Sequence, residues 1–318
     1  GKKVLIVKIE EGIMPPYMTN DGKIYERISS GSFPVSKKSK SEKIERTQSI
    51  KDLSALNLLY EKRKNQLEYI RDKIELPIIK NEEIATGIFD MWVENSELSV
   101  LAKPGQFAHI LVPGKVLRRP ISICDADKSC LRLVYQVKGE GTEILSKVKV
   151  GEELDIIAPL GNGFDIKPEK RYCFIGGGIG VPPMLYASKQ KEKPIVITGF
   201  RNKDLVILQS DFRKDNCELY LTTDDGSAGE KAFVTDVLKR KLDEIDEVCA
   251  CGPMPMLRAI SEICNENNVP CQISLEERMG CGIGACLVCA CEVKRNGTND
   301  YVHVCKDGPV FDSKEVVF

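Results

Sequence analysis

Residues 279–293 read MGCGIGACLVCACEV, and no other stretch limits the possible folds so tightly. Cys281, Cys286, Cys289 and Cys291 fall within eleven residues, with Gly280, Gly282 and Gly284 among them. A further thiol, Cys305, follows in VHVCKDG. So many thiols beside glycine suit a loop wrapped around a metal, because glycine takes up strained angles and leaves room for a bulky inorganic group. Cys281-x4-Cys286-x2-Cys289, with fifteen residues between Cys289 and Cys305, is the plant-type [2Fe–2S] spacing. Zinc and buried free thiols are the alternatives. Zinc sites favour paired C-x2-C knuckles, and here only Cys286 and Cys289 form one. Cys291 points to the same side as Cys289 in an extended strand, but Cys305 fits the fourth position better, and Cys291 reads as a small buried residue.

The rest of the chain supplies context. It has 318 residues, of which 42% are hydrophobic, enough for two or three domains with a large core. The net charge of −1 argues against a globally basic nucleic-acid binder and against acidic disorder. Nine of the thirteen cysteines lie from Cys249 onward, a placement that suits a cytoplasmic protein with thiolates on a metal rather than a secreted disulfide scaffold. No run of 18 apolar residues and no secretory pattern is present, so neither a membrane span nor export is expected. The start at Gly1 reads as a processed or cut product.

Residues 1–35 carry strand-like runs, VLIVKI and KIYERI, and form an appendage of uncertain fold. Residues 36–75 read as a charged, solvated linker followed by a helix over LSALNLLYEKRKNQLEYIRDKI. Between 76 and 168 short strand candidates follow one another: LPIIKNEEIA, IFDMWVE, FAHILV, LRLVYQVK and ELDIIAPL. Their spacing suggests a small antiparallel β-barrel. From 169 to 270 strands alternate with helices, which implies a parallel sheet covered on both faces. Residues 271–318 form the cysteine-rich module.

Four further motifs lie upstream of the thiols. LRRPISICDAD (117–127) offers Arg118 and Arg119 as forks for phosphate, with a hydroxyl on Ser122. In YQVKGEGTEILS (135–146), Gly139, Gly141 and Thr142 lead into a helix start that suits a phosphate. In RYCFIGGGIGVPPMLYASK (171–189), an apolar strand runs through Gly176, Gly177, Gly178 and Gly180 into a helix opened by Pro182-Pro183. CACGPMPMLRAI (249–260) ends a strand at Cys251-Gly252-Pro253, where ligands of open α/β sheets bind. Each alone also reads as an ordinary structural turn. The histidines, His109 and His303, lack a paired partner in sequence and read as structural.

The order RRPIS, GxGT, GGGIGVPPM, CGPMPM, CGIGACLVC and VCKDGPVF resembles the electron-transfer subunits of type B dihydroorotate dehydrogenase, within the ferredoxin–NADP reductase superfamily, over about residues 76–318. The resemblance implies an α+β multidomain chain: an FAD-binding barrel, an NAD-binding α/β domain with a parallel sheet, and a [2Fe–2S] module. FAD would be held by Arg119, Pro120, Ile121, Ser122, Gly139, Gly141 and Thr142. NAD would be held by Gly177, Gly178, Gly180 and Pro182, with Cys251, Gly252 and Pro253 near the nicotinamide. Asp224, Asp225 and Gly226 in TTDDGSAG are further candidate contacts. Cys281, Cys286, Cys289 and Cys305 would ligate the cluster. The implied partner is an FMN-containing catalytic subunit, in a heterotetramer of pyrimidine (UMP) biosynthesis, from which electrons reach NAD⁺ through the cluster and FAD. A flavin belongs between the other two because it exchanges both single electrons and hydride. No catalytic acid–base set for dihydroorotate is evident in this sequence.

Two other readings stay open. A related NAD(P)H-dependent flavin and iron–sulfur reductase could serve another partner; Arg201-Asn202-Lys203 would tolerate a 2′-phosphate, and NAD is taken from the resemblance. DGKIYERISSGSFPVS is similar to the end of a Schlafen-type AlbA-like domain, which raises a redox-linked nucleic-acid binder through residues 1–75. That match covers only part of such a domain, so nucleic-acid binding is not carried over from it. The anaerobically purified protein is expected to show flavin and iron–sulfur absorption bands; a colourless protein would exclude electron transfer.

Overall fold

The computed structural model describes residues 75–318 apart from Asn296, together with the backbone of three short strands nearer the N-terminus. Those strands, β1 (Tyr17–Met18), β2 (Ile24–Ile28) and β3 (Gly31–Pro34), form one antiparallel sheet. The expected strand VLIVKI, the charged linker and the helix before residue 75 lie outside the described residues.

Six antiparallel strands close a barrel: β4 (Glu75–Ala85), β5 (Ile88–Glu94), β6 (Phe107–Ile110), β7 (Arg119–Ala126), β8 (Cys130–Gln136) and β9 (Glu153–Leu160). Around the barrel they run β4-β5-β8-β7-β6-β9. Alternation along the strands turns Leu76 and Ile78, Met91 and Val93, Leu131 and Leu133, and Leu154 and Ile156 into one buried interior. One of the six, β7, is the stretch RPISICDA, met in the sequence as a motif rather than as a strand. A short helix, α1 (Ser96–Leu101), begins at Asn95, whose side chain accepts from the Glu97 and Leu98 amides. A second, α2 (Glu140–Ser146), follows β8.

The second sheet has seven strands in the order β13-β12-β11-β10-β14-β15-β18. These are β10 (Tyr172–Gly177), β11 (Ile195–Phe200), β12 (Glu218–Thr223), β13 (Glu230–Lys231), β14 (Glu247–Cys251), β15 (Cys271–Ser274) and β18 (Val310–Asp312). All neighbours pair in parallel except β18, which runs antiparallel to β15. Helices α3 (Val181–Ser188) and α4 (Gln209–Lys214) cover one face, where Met184, Leu185 and Phe212 are buried. Helices α5 (Val234–Lys241) and α6 (Met254–Glu266) cover the other with Val237, Leu238, Leu257 and Ile260. The sheet therefore runs past residue 270, the expected boundary: β15 and β18 both extend it. The hairpin β16 (Ala290–Arg295) and β17 (Thr298–His303) completes the cysteine module. Cys289, Val293, Val302, Val304 and Cys305 share the core beneath α5 and α6. Among the described residues no helix is long and apolar enough to cross a membrane.

One buried ion network fixes the barrel against the sheet domain. Arg132 of β8 donates to both carboxylate oxygens of Asp90 on β5, at 2.8 and 3.0 Å, and to Asp211 of α4 at 2.9 Å. Lys80 reaches Asp90 at 3.1 Å. Burial works to raise the Asp90 pKa, but hydrogen bonds and charge from Arg132 and Lys80 outweigh it, and the carboxyl sits below its usual value. The network's stability is thus fully present above the unfolded carboxyl pKa and is lost as pH falls through the lower folded value. Arg132→Met should destabilise the protein by about 3–5 kcal/mol at neutral pH, because it strands a buried charge. Denaturant melts should show most of that cost recovered in Asp90→Leu/Arg132→Met; an undiminished loss in the double variant would contradict this account.

Candidate functional site

The cysteine loop is built by short-range backbone geometry. Gly282 lies in the left-handed region, φ +72°, and a Cβ there would stand 2.4 Å from His109 Nδ1. This lets the chain turn immediately after Cys281 and point its amides inward. The Ala285 amide donates to Cys281 Sγ at 3.2 Å, the Ile283 amide to the same sulfur at 3.5 Å, and the Gly284 amide to Cys305 Sγ at 3.1 Å. The thiols of Cys281 and Cys286 meet, and so do those of Cys289 and Cys305. Among the described residues no three metal-binding side chains converge on a single-ion site. Two pairs with inward amides suit a binuclear cluster, in which each iron takes two thiolates, better than one tetrahedral zinc. The residues present therefore fit a [2Fe–2S] group.

The pairs differ electrically. Burial alone would raise the Cys281 thiol, but donation from the Ile283 amide, the Cys286 thiol and the Ala285 amide brings it to about 7. Burial and the neighbouring Cys289 push Cys305 up to about 12, against the Gly284 amide. Cys281 is thus the more readily ionised of the two, and Cys305 the more dependent on a bound metal's charge to lose its proton. Cys291, on β16, joins neither pair and is pushed up to about 11, chiefly by burial.

A cavity of about 550 Å³ opens on the barrel beside this loop. Arg119, Pro120, Ile121, Ser122 and Thr142 line it, along with Phe107 and the run Ser274–Met279 that leads into Cys281. Arg119 Nη1 donates to the carbonyls of Leu117 and Arg118 at 2.8 and 3.2 Å, which holds its guanidinium at the mouth. Gly141 packs on that guanidinium; a Cβ there would meet Arg119 Nε at 2.7 Å. Thr142 accepts from the Lys138 and Gly139 amides and so shapes the turn into α2. Arg118, in contrast, is tied to Asp155 and to the His109 carbonyl, and is engaged in holding the barrel. Apolar side chains with a few charged groups, Arg119 held among them, make a wall that suits a flavin nucleotide.

A second cavity, of about 780 Å³, lies where the sheet order reverses between β10 and β14. Gly177, Gly178, Gly180, Gly252 and Pro253 line it. A Cβ on Gly180 would stand 2.3 Å from the Cys251 carbonyl oxygen, so the close approach of these two turns demands glycine. Asp224 and Arg201 border the same space. Asp225 instead accepts from the Ser227 amide and hydroxyl within its own turn, with Gly226 beside it. Pro182 is buried in α3, and the Cys251 thiol is buried at 1% exposure, behind the lining rather than on it.

Gln136, Lys138, Ile179 and Glu276 line both cavities. Groups seated in the two would meet there, as hydride transfer needs. The sequence reading passed over these four, and Phe107 and Met279 as well. Gln136 and Lys138 lie within the 135–146 motif, Ile179 within the 171–189 motif and Met279 at the head of the cysteine stretch, and those positions were the available signals; Glu276 carries none.

A family model described as the iron–sulfur cluster binding domain of dihydroorotate dehydrogenase B matches residues 276–317. The chain is 42% identical over 252 residues to the dihydroorotate dehydrogenase B (NAD(+)) electron transfer subunit of Caldanaerobacter subterraneus subsp. tengcongensis, covering 78% of this chain and all of that one. The protein of the same name from a Geobacillus species is 40% identical over 255 residues, covering 76% of this chain and 98% of its own. Among solved structures, the NADH-dependent reduced ferredoxin-NADP oxidoreductase of flavin-based electron bifurcation aligns with a TM-score of 0.68 at 32% identity, over 76% of this chain and 89% of that one. The ferredoxin reductase of carbazole 1,9a-dioxygenase shares the fold, with a TM-score of 0.53 at 20% identity over 62% of this chain and 66% of that one. Thiol loop, paired cavities and relatives agree: the chain belongs to the family of dihydroorotate dehydrogenase B electron transfer subunits.

Proposed function

We propose that this chain takes electrons from an FMN-containing dihydroorotate dehydrogenase catalytic subunit and delivers them to NAD⁺, as part of a cytoplasmic heterotetramer in pyrimidine (UMP) biosynthesis. The observation that carries this reading is the position of the barrel cavity. It shares four wall residues with the cavity at the sheet's switch point, and its far wall runs through Met279 into Cys281. When bound, the cluster exchanges single electrons, and FAD interconverts these with the hydride of NAD.

The chain's own residues bind and insulate these groups. Arg119 would offset the charge of the FAD pyrophosphate, Pro120, Ile121 and Phe107 would pack its apolar parts, and Ser122 would offer a hydroxyl. Gly139, Gly141 and Thr142 would shape the adjoining turn. Gly177, Gly178 and Gly180 would let the backbone approach the NAD pyrophosphate at the head of α3, and Gly252-Pro253 would close the opposite side. Asp224 would offer a carboxylate to a ribose hydroxyl, with Arg201 on the same wall. Cys281, Cys286, Cys289 and Cys305 would hold the cluster, and the Ile283, Gly284 and Ala285 amides would offset its negative charge.

The partner would dock where the thiols approach the surface. Ile283, Leu287 and Val288 on the cysteine loop are 59%, 73% and 56% exposed. Exposed apolar side chains grouped on one loop fit a protein interface. All thirteen cysteines are free, which fits the reducing cytoplasm.

Cys286→Ser should lose the cluster while keeping FAD. NADH should still reduce that variant's flavin, whereas dihydroorotate-driven NAD⁺ reduction in the assembled complex should fall to background. A normal [2Fe–2S] spectrum in the variant would overturn the ligand set. Failure of the wild-type chain to co-purify with a dihydroorotate-oxidising flavoprotein would instead favour the related reductase with another partner. Arg119→Ala should weaken FAD binding by about 10- to 100-fold, the worth of one charged hydrogen bond, as read by equilibrium dialysis.

A further inference from the structure

His109 sits on β6, opposite Pro120 of the Arg119–Ser122 stretch and against Ile157 of β9. It is wholly buried, and neither ring nitrogen makes a well-formed hydrogen bond, although the Cys281 backbone stands close enough to offer one. An incompletely matched polar ring inside a core is costly, so its position points to a bond completed in the working protein. On one side Phe107, a wall of the flavin-side cavity, meets the ring edge-on, with centroids 6.4 Å apart. On the other, Gly282 packs so closely that a Cβ would collide with Nδ1, and the Cys281 backbone lies alongside. Phe107, His109 and Gly282 thus form a packed line from that cavity to the first thiol of the loop.

A neutral imidazole offers one N–H donor and one lone pair.

We propose that His109 is a positioning residue for the cluster: in the loaded protein its ring N–H bonds the Cys281 backbone carbonyl and fixes the cysteine loop against the flavin barrel. The bond is directional, so it sets where the first ligand stands, whereas packing alone only limits how near it comes. The inference rests on the ligand set proposed above.

The test uses the reconstituted holoprotein as wild type, His109→Phe and His109→Asn. Phenylalanine keeps the ring's bulk without a donor; asparagine keeps a donor N–H without the ring. The readouts are the rate of cluster loss to an iron chelator and the midpoint potential from an anaerobic titration. His109→Phe should lose its cluster roughly 10- to 100-fold faster, as expected when a group that orients a metal ligand is removed. Its potential should shift away from the wild-type value, and His109→Asn should recover most of both effects. Equal behaviour of His109→Phe and wild type, or no recovery in His109→Asn, would overturn the proposal. Should neither variant fold, histidine-selective NMR of the wild type decides: solvent exchange of the His109 ring N–H should slow about tenfold on cluster loading, the protection given by one new hydrogen bond, and an unchanged rate would refute it. A wild type that binds no cluster would contradict the functional reading itself, a result distinct from failure of the histidine variants.

Discussion

A relay between a one-electron and a two-electron carrier works only where one site borders both others, and this constraint organises the chain. The barrel cavity would be that middle site. Gln136, Lys138, Ile179 and Glu276 join it to the cavity at the β10/β14 switch point, and Ser274–Met279 joins it to the cysteine loop. The link is covalent as well as spatial: β15 leaves the parallel sheet, its chain continues along the cavity wall, and Cys281 follows within seven residues of Ser274. β18 then returns to pair with β15 just after Cys305. The cluster module is therefore threaded through the edge of the nucleotide-binding sheet, which fixes its place relative to both cavities. The Arg132 network adds a second restraint, between barrel and α4.

Holding four thiols near one another asks for charge compensation. Cys289 and Cys305 are buried at 1% and 2% exposure, where an isolated thiolate is expensive. Cys281 and Cys286 lie nearer the surface, and backbone amides already draw Cys281 toward ionisation. The loop is thus asymmetric: Cys281 is drawn toward ionisation, whereas burial and the neighbouring Cys289 hold the proton on Cys305, and a bound metal would couple to the folding of this module.

Much of this was legible in the residues because it is local. Ligand spacing, the glycine turn after β10 and the Gly252-Pro253 turn after β14 are each contained in short runs whose chemistry survives without tertiary context. The barrel was read from the close succession of short strand-like runs, although β7 was hidden inside a motif and β15 and β18 are too short to stand out. What could not be read depends on contacts between distant segments. Arg118 and Arg119 are adjacent and chemically alike, yet Asp155 takes one and leaves the other at a cavity mouth. Asp224 and Asp225 are likewise adjacent, and only the first borders the cavity. His109 reads as a lone structural histidine, and its place beside Gly282 emerges only when β6 is set against a loop more than 170 residues away.

The central claim is that the four cysteines act as two pairs around a binuclear cluster placed beside the flavin site. Mössbauer spectroscopy of protein loaded with isotopically enriched iron tests this most directly. Two tetrahedral sulfur-bound irons in equal amounts, coupled to a diamagnetic ground state when oxidised, are the predicted result. A single paramagnetic iron, or zinc bound in place of iron in protein grown with both metals, would contradict the account.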